Sequence, residues 1–301
     1  MPREPSLESA AFRVHCRVPA ILLTLPPLSG CASEGVIDPQ GPVAAAERLI
    51  LLNSTAIMLC VVLPVVILTL VFAWHYRGSN RAATYTPDWG YSGKIELVVW
   101  SIPAMVVILL SGVGWIGSHE LDPGAPLAAR AAPLEIQVVA LDWKWLFIYP
   151  AQHVAALNEL TVPIGTPLSF KITSGTVMTA FFVPQLGSQI YAMPGMTTRL
   201  NLLASAPGHY PGFAAHFSGD GFSDMRFMVH ALPPAQYHAW LAEAASTGEV
   251  LDEQRYDALA RAQATAAAHA FRAVPAGLFE HAIELAVQPG ALASRPAAAV
   301  H

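Results

Sequence analysis

The chain changes its pattern of apolar and polar positions near residue 120. Before that point apolar residues come in unbroken runs; after it they come in short, alternating ones. Residues 49–74 carry no charged side chain, and their length of about 26 residues exceeds the ~20 that a helix needs to cross a bilayer. Residues 102–116, extended back through Leu97-Val98-Val99-Trp100, supply a second span of roughly twenty. Pro64 and Pro103 fall inside these runs, which membrane helices tolerate when neighbouring groups satisfy the freed carbonyls. Transmembrane helices are therefore expected at 48–76 and 95–117. The loop between them, 77–94, carries Arg77, Arg81 and Lys94 against the single acid Asp88, so the positive-inside rule places it in the cytoplasm. Both ends of the hairpin then face outward.

Beyond Asp122-Pro123-Gly124 the runs 134–149, 159–173, 187–196 and 198–204 are rich in Val, Ile, Phe, Tyr and Trp and are separated by Pro and Gly. That spacing predicts a Greek-key β-sandwich or barrel. Residues 134–149 read as one long first strand. Pro207-Gly208 and residues 218–221 are turn clusters. From Pro233 the period becomes helical, with Tyr237, Trp240 and Leu241 on one stripe of a helix over 235–244. After Leu251 the chain is Ala-rich and weakly patterned, which predicts one or two loose helices and a disordered last dozen residues.

Composition narrows the class. Of 301 residues, 54% are hydrophobic and 12% charged, too apolar for an ordinary soluble protein. A net charge of −5 without a basic cluster argues against a nucleic-acid partner. Cys16, Cys31 and Cys60 are too few and too scattered for a disulfide framework. Arg3, Arg13 and Arg17 precede or border the apolar run 18–28, the layout of a secretory signal too short to span a bilayer. It ends in Leu28-Ser29-Gly30-Cys31, which resembles a bacterial lipobox. The expectation is a signal peptide over 1–30, a lipidated Cys31, and an outer segment 31–47; a free cysteine behind an ordinary signal is the alternative. No Ser-His-Asp order, zinc spacing, P-loop or dinucleotide fingerprint stands out.

The stretch 176–228 reads TVMTAFFVPQLGSQIYAMPGMTTRLNLLASAPGHYPGFAAHFSGDGFSDMRFM. It resembles subunit II of the haem–copper terminal oxidases. In members that take electrons from cytochrome c, this frame holds a dinuclear copper centre. The ligand positions fall here on Thr179, Ala214, His216, Ser218, Phe222 and Met225, of which only Met225 keeps the family's residue. A close copper pair needs bridging thiolates and imidazoles. Alanine and phenylalanine offer no donor, and a neutral serine hydroxyl is a poor one. A different site built from His216 and Met225 with His209 or His230 is conceivable by ligand chemistry, but a lone His or Met on a β scaffold is more often packing or surface. The expectation is no metal in this chain. A frame without ligands is the pattern of the quinol-oxidising branch, which includes the cytochrome bo-type ubiquinol oxidases.

That resemblance implies a cupredoxin-like barrel over 125–232, a helical, partly disordered extension over 233–301, and residence in a bacterial plasma membrane with the barrel in the periplasm. It implies partner subunits I, III and IV, with haems and copper in the catalytic partner and ubiquinol as the substrate of the complex. In cytochrome c-oxidising relatives a Trp-x-Trp marks the aromatic patch where electrons arrive; here Trp143 and Trp145 are expected as interface aromatics. Lys94 to Pro103 resembles the opening of the family's second helix. Glu96 there matches the mouth of a proton-uptake path (the K-channel) into the catalytic subunit. A carboxylate favoured by the helix N-terminal dipole is the plain structural alternative. Two competing functional readings remain: a cytochrome c oxidase subunit II with an atypical copper site, and a lipid-anchored scaffold or binding protein.

Overall fold

In a computed structural model of the chain, residues 35–84, 86–128, 131–261 and 266–287 are described. The signal segment, Cys31 and the last dozen residues lie outside them. Helix α1 (Pro42–His75) starts with a proline in its first turn, where no amide is needed, and α2 (Gly93–Glu120) follows as its hairpin partner. Both run longer than the spans read from hydropathy. At 1.5 Å per residue, the 34 residues of α1 extend about 51 Å against a hydrocarbon core of about 30 Å. Apolar side chains such as Ile67, Leu97 and Trp100 are exposed in the isolated chain, as lipid- or partner-facing groups are. The helices meet at Gly117, where the Ile50 side chain packs so closely that a Cβ would lie 2.7 Å from its terminal methyl and would push it aside.

The barrel strands are β1 (Leu134–Leu141), β2 (Lys144–Tyr149), β3 (Val154–Leu157), β4 (Glu159–Pro163), β5 (Leu168–Ser174), β6 (Thr179–Phe182), β7 (Ile190–Ala192), β8 (Thr198–Leu202), β9 (Gly208–Ala214) and β10 (Arg226–Leu232). One sheet has the order β4-β10-β9-β6-β7. The other places β3-β2-β1-β5-β8 side by side, with β1 and β5 parallel. The expected single strand 134–149 is a hairpin. Leu141 pairs with Lys144, and Trp143 turns the chain at φ 60°. Between the sheets lies an aromatic core in which Phe181 stacks on Phe227 at 5.1 Å and Trp145 meets both rings edge-on. Tyr149 closes one end, its hydroxyl donating to the Thr161 carbonyl and accepting from the Thr161 amide, both at 2.9 Å.

Residues 234–261 and 266–287 hold more regular structure than the sequence predicts. α3 (Pro234–Thr247) leads into β11 (Glu249–Val250), α4 (Glu253–Arg261), β12 (His269–Ala273) and α5 (Leu278–Val287). β12 joins the larger sheet antiparallel to β3, with Phe271 opposite Ala155, and β11 extends it. Leu251, Tyr256, Phe271, Leu278 and Phe279 then bury the outer face of Val139, Leu141, Leu146 and Ile148 as a second core. The first two barrel strands are thus covered on both faces, which explains why 134–149 reads as a nearly continuous apolar run.

Candidate functional site

The six positions of the copper frame converge on one corner of the barrel. Thr179 opens β6, Ala214 ends β9, His216 and Ser218 lie in the following loop, Phe222 opens the 3-10 turn Phe222–Asp224, and Met225 caps that turn. Backbone bonds hold the corner: the Ala214 amide donates to the Met225 carbonyl at 3.0 Å, and the Ala215 amide to Ala180 at 2.9 Å. Most of the side chains at these positions are engaged by neighbouring groups of the corner. Thr179 Oγ1 donates to the His216 carbonyl at 3.2 Å, and Ser218 Oγ lies 3.8 Å from Met225 Sδ. The Phe222 ring meets Phe217 edge-on, and the exposed His216 ring meets Tyr191. Met225 is 1% exposed and Ala214 is buried beside it.

This donor set does not fit a dinuclear copper centre. A methyl group and a phenyl ring stand at two ligand positions, neither bridging position holds a thiolate, and the remaining thioether is buried among packing groups. Among the described residues no group of three or more His, Cys, Asp or Glu side chains that could hold a metal ion occurs.

The structure separates the two tryptophans. Trp145 is 0% exposed in the aromatic core, so its ring cannot meet a partner; the expectation of an interface role at this position is corrected. Its neighbour Trp143 sits in the turn, half-buried, and lies over the 218–221 loop so closely that a Cβ on Gly221 would come 2.2 Å from the indole. The glycine is required for that approach. No signal in the sequence marks this contact, because 78 residues separate the partners.

Glu96 sits in the first turn of α2, its amide bonded to the Ser92 carbonyl at 2.9 Å. Its carboxylate accepts from the Trp100 indole at 3.1 Å, one turn ahead. The carboxylate is exposed at the end of the apolar span.

A hairpin of two apolar helices carrying a barrel of this kind, with the copper corner present in outline, is the architecture of an oxidase subunit II anchored in a membrane. The family model for the periplasmic domain of cytochrome c oxidase subunit II matches residues 135–232. The chain is 48% identical over 235 residues to the ubiquinol oxidase subunit 2 of Acetobacter aceti, covering 77% of this chain and 76% of that one. It is also 48% identical to the cytochrome bo(3) ubiquinol oxidase subunit 2 of Pseudomonas putida, covering 78% and 74%. Among solved structures, the periplasmic domain of subunit II of cytochrome oxidase (CoxB) of Bradyrhizobium japonicum matches at TM-score 0.37 and 20% identity, over 40% of this chain and 96% of that one. The chain belongs to the ubiquinol oxidase subunit 2 family, and so to an oxidoreductase complex of the respiratory chain.

Proposed function

We propose that this subunit carries no redox centre of its own and serves the complex by assembly, by capping the outer face of the catalytic subunit, and by supplying Glu96 to a proton-uptake path. The observation that carries the reading is the copper corner, where Ala214 and Phe222 replace donors and Ser218 and Met225 pack together. Electrons then have no metal through which to pass from a soluble donor, and quinol delivers them directly to the partner that holds the haems and copper. Partner subunits I, III and IV and a proton-pumping activity belong to the same reading. Positive charge in the loop between the helices supports a cytoplasmic loop, a periplasmic barrel, and a lipid on Cys31 at the outer surface.

Glu96 lies where a proton collector needs to be: at the end of the apolar span, ionisable, and held by Trp100 along the helix rather than folded back over the first turn. The test of the whole reading is the choice of electron donor. The purified complex is expected to oxidise ubiquinol and to turn over reduced cytochrome c negligibly. Robust cytochrome c oxidation with a purple subunit holding about two coppers would overturn it.

A further inference from the structure

The outer side of the smaller sheet holds a group that none of these roles uses. β9 and β10 pair antiparallel with His209 directly opposite His230. The two Nδ1 atoms are 2.7 Å apart, and the rings stand at 79° with centroids 4.8 Å apart. From the neighbouring strand β4, Glu159 Oε1 lies 3.5 Å from His230 Nε2. Two neutral imidazoles share so short a contact only when one Nδ1 carries the proton and the other accepts it. A carboxylate beside Nε2 of His230 favours a proton there, which leaves His230 Nδ1 as the acceptor and His209 Nδ1–H as the donor.

Moving the His209 proton to its own Nε2 would leave two lone pairs facing each other across this contact, and a turn of each ring about its side-chain bonds would aim both at one point beside the N–N line. Metal–nitrogen bonds of about 2.0 Å at a right angle put two imidazole nitrogens about 2.8 Å apart, close to the spacing present, whereas tetrahedral ligands need about 3.3 Å. We propose that His209 and His230 form a site for a divalent ion that favours square-planar geometry, Cu²⁺ or Ni²⁺, with Glu159 positioning His230 from behind. Carboxylate–imidazole–metal order is the usual way such a ring is held. With two protein donors among the described residues, water completes the coordination. The site lies near the start of β9, whereas the vacated corner begins at the strand's end, and it is a surface binding site, not a path for electrons.

Cu²⁺ added to the purified complex, followed by electron paramagnetic resonance, reads this directly. One ion per chain with coupling to two imidazole nitrogens is expected. H209Q and H230Q should each weaken binding at least tenfold and remove the two-nitrogen coupling. E159Q should keep that coupling and weaken binding several-fold. Both histidines lie on the outer face, so quinol turnover of the ion-free variants reports intact assembly, and H209Q alone decides the matter should H230Q assemble poorly. Wild-type affinity and unchanged coupling in H209Q would overturn the proposal.

Discussion

At position 214 a methyl group stands where the copper frame requires a thiolate, and at 222 a phenyl ring stands where it requires an imidazole. Both facts follow from residue identity alone, so this part of the site was legible before any geometry was known. Trp145 was not legible. A turn built on Asp142 and Trp143 carries no glycine or asparagine at its positive-φ position, so nothing in the sequence marks the reversal that sends Trp145 inward. Two side chains yield predictions. Glu96→Gln should slow turnover several-fold without dissociating the complex, with the loss falling on reduction of the partner's active-site haem; wild-type haem reduction in stopped flow would return Glu96 to the status of a helix-end charge. Tyr237 is buried with its hydroxyl unpartnered, and burial pushes its phenol up to about 12. The folded state therefore keeps this proton while the unfolded chain loses it near pH 10. Stability from this group is full below pH 10 and falls as pH rises toward 12. Tyr237→Phe should flatten that alkaline decline in thermal-melt midpoints and cost little at pH 7, since no hydrogen bond is lost.

Elements past Leu251 show the opposite balance between sequence and structure. α4 and α5 are only 9 and 10 residues long, short enough that neither would be stable alone. Their apolar stripes make sense only against the outer face of β1 and β2, a long-range packing that local pattern cannot express. Strand β12 is five residues, His269–Ala273, without alternation strong enough to announce itself, and it forms because β3 offers a free edge. The extension is thus part of the barrel's fold. Truncating the chain after Val250 would strip cover from Val139, Leu141, Leu146 and Ile148 and leave the β3 edge open. The expected result is loss of membrane-assembled subunit and aggregation of the remainder, read by immunoblot of detergent-soluble membranes. Wild-type levels of a truncated subunit would show the extension to be dispensable.

The joint between hairpin and barrel governs the whole molecule. Surplus length at the start of α1 carries it into the barrel, where the Gln40 amide donates to Gln185 at 2.7 Å, the Ser205 amide donates back to Gln40 at 2.8 Å, and the Ala44 amide reaches Leu186 at 3.3 Å. Ser188 adds a hydrogen bond to Glu47 one turn further on. Just past the end of α2, the Pro123 and Gly124 carbonyls accept from Asn201. Both helix ends are therefore bonded to the barrel, which fixes the face it turns toward the membrane and any partner within it. The joint depends on close approach: a Cβ at Gly187 would lie 2.7 Å from Leu202 and 2.9 Å from Val43, and one at Gly41 would lie 2.4 Å from the Leu203 carbonyl. Neither glycine looks special in the sequence, because the groups they admit come from distant segments. Gly187→Val places a branched side chain into that contact. Overpacking of this kind costs about 1–3 kcal/mol, which is small against the stability of a barrel with its own aromatic core but large for a seam held by a few hydrogen bonds. The variant barrel should fold yet sit loosely. Its strands should keep their protection in hydrogen exchange while the amides of Gln40, Ala44 and Ser205 exchange faster, and the yield of assembled complex should fall. Unchanged exchange at those three amides would mean that the seam tolerates the valine and that the barrel's orientation is set elsewhere.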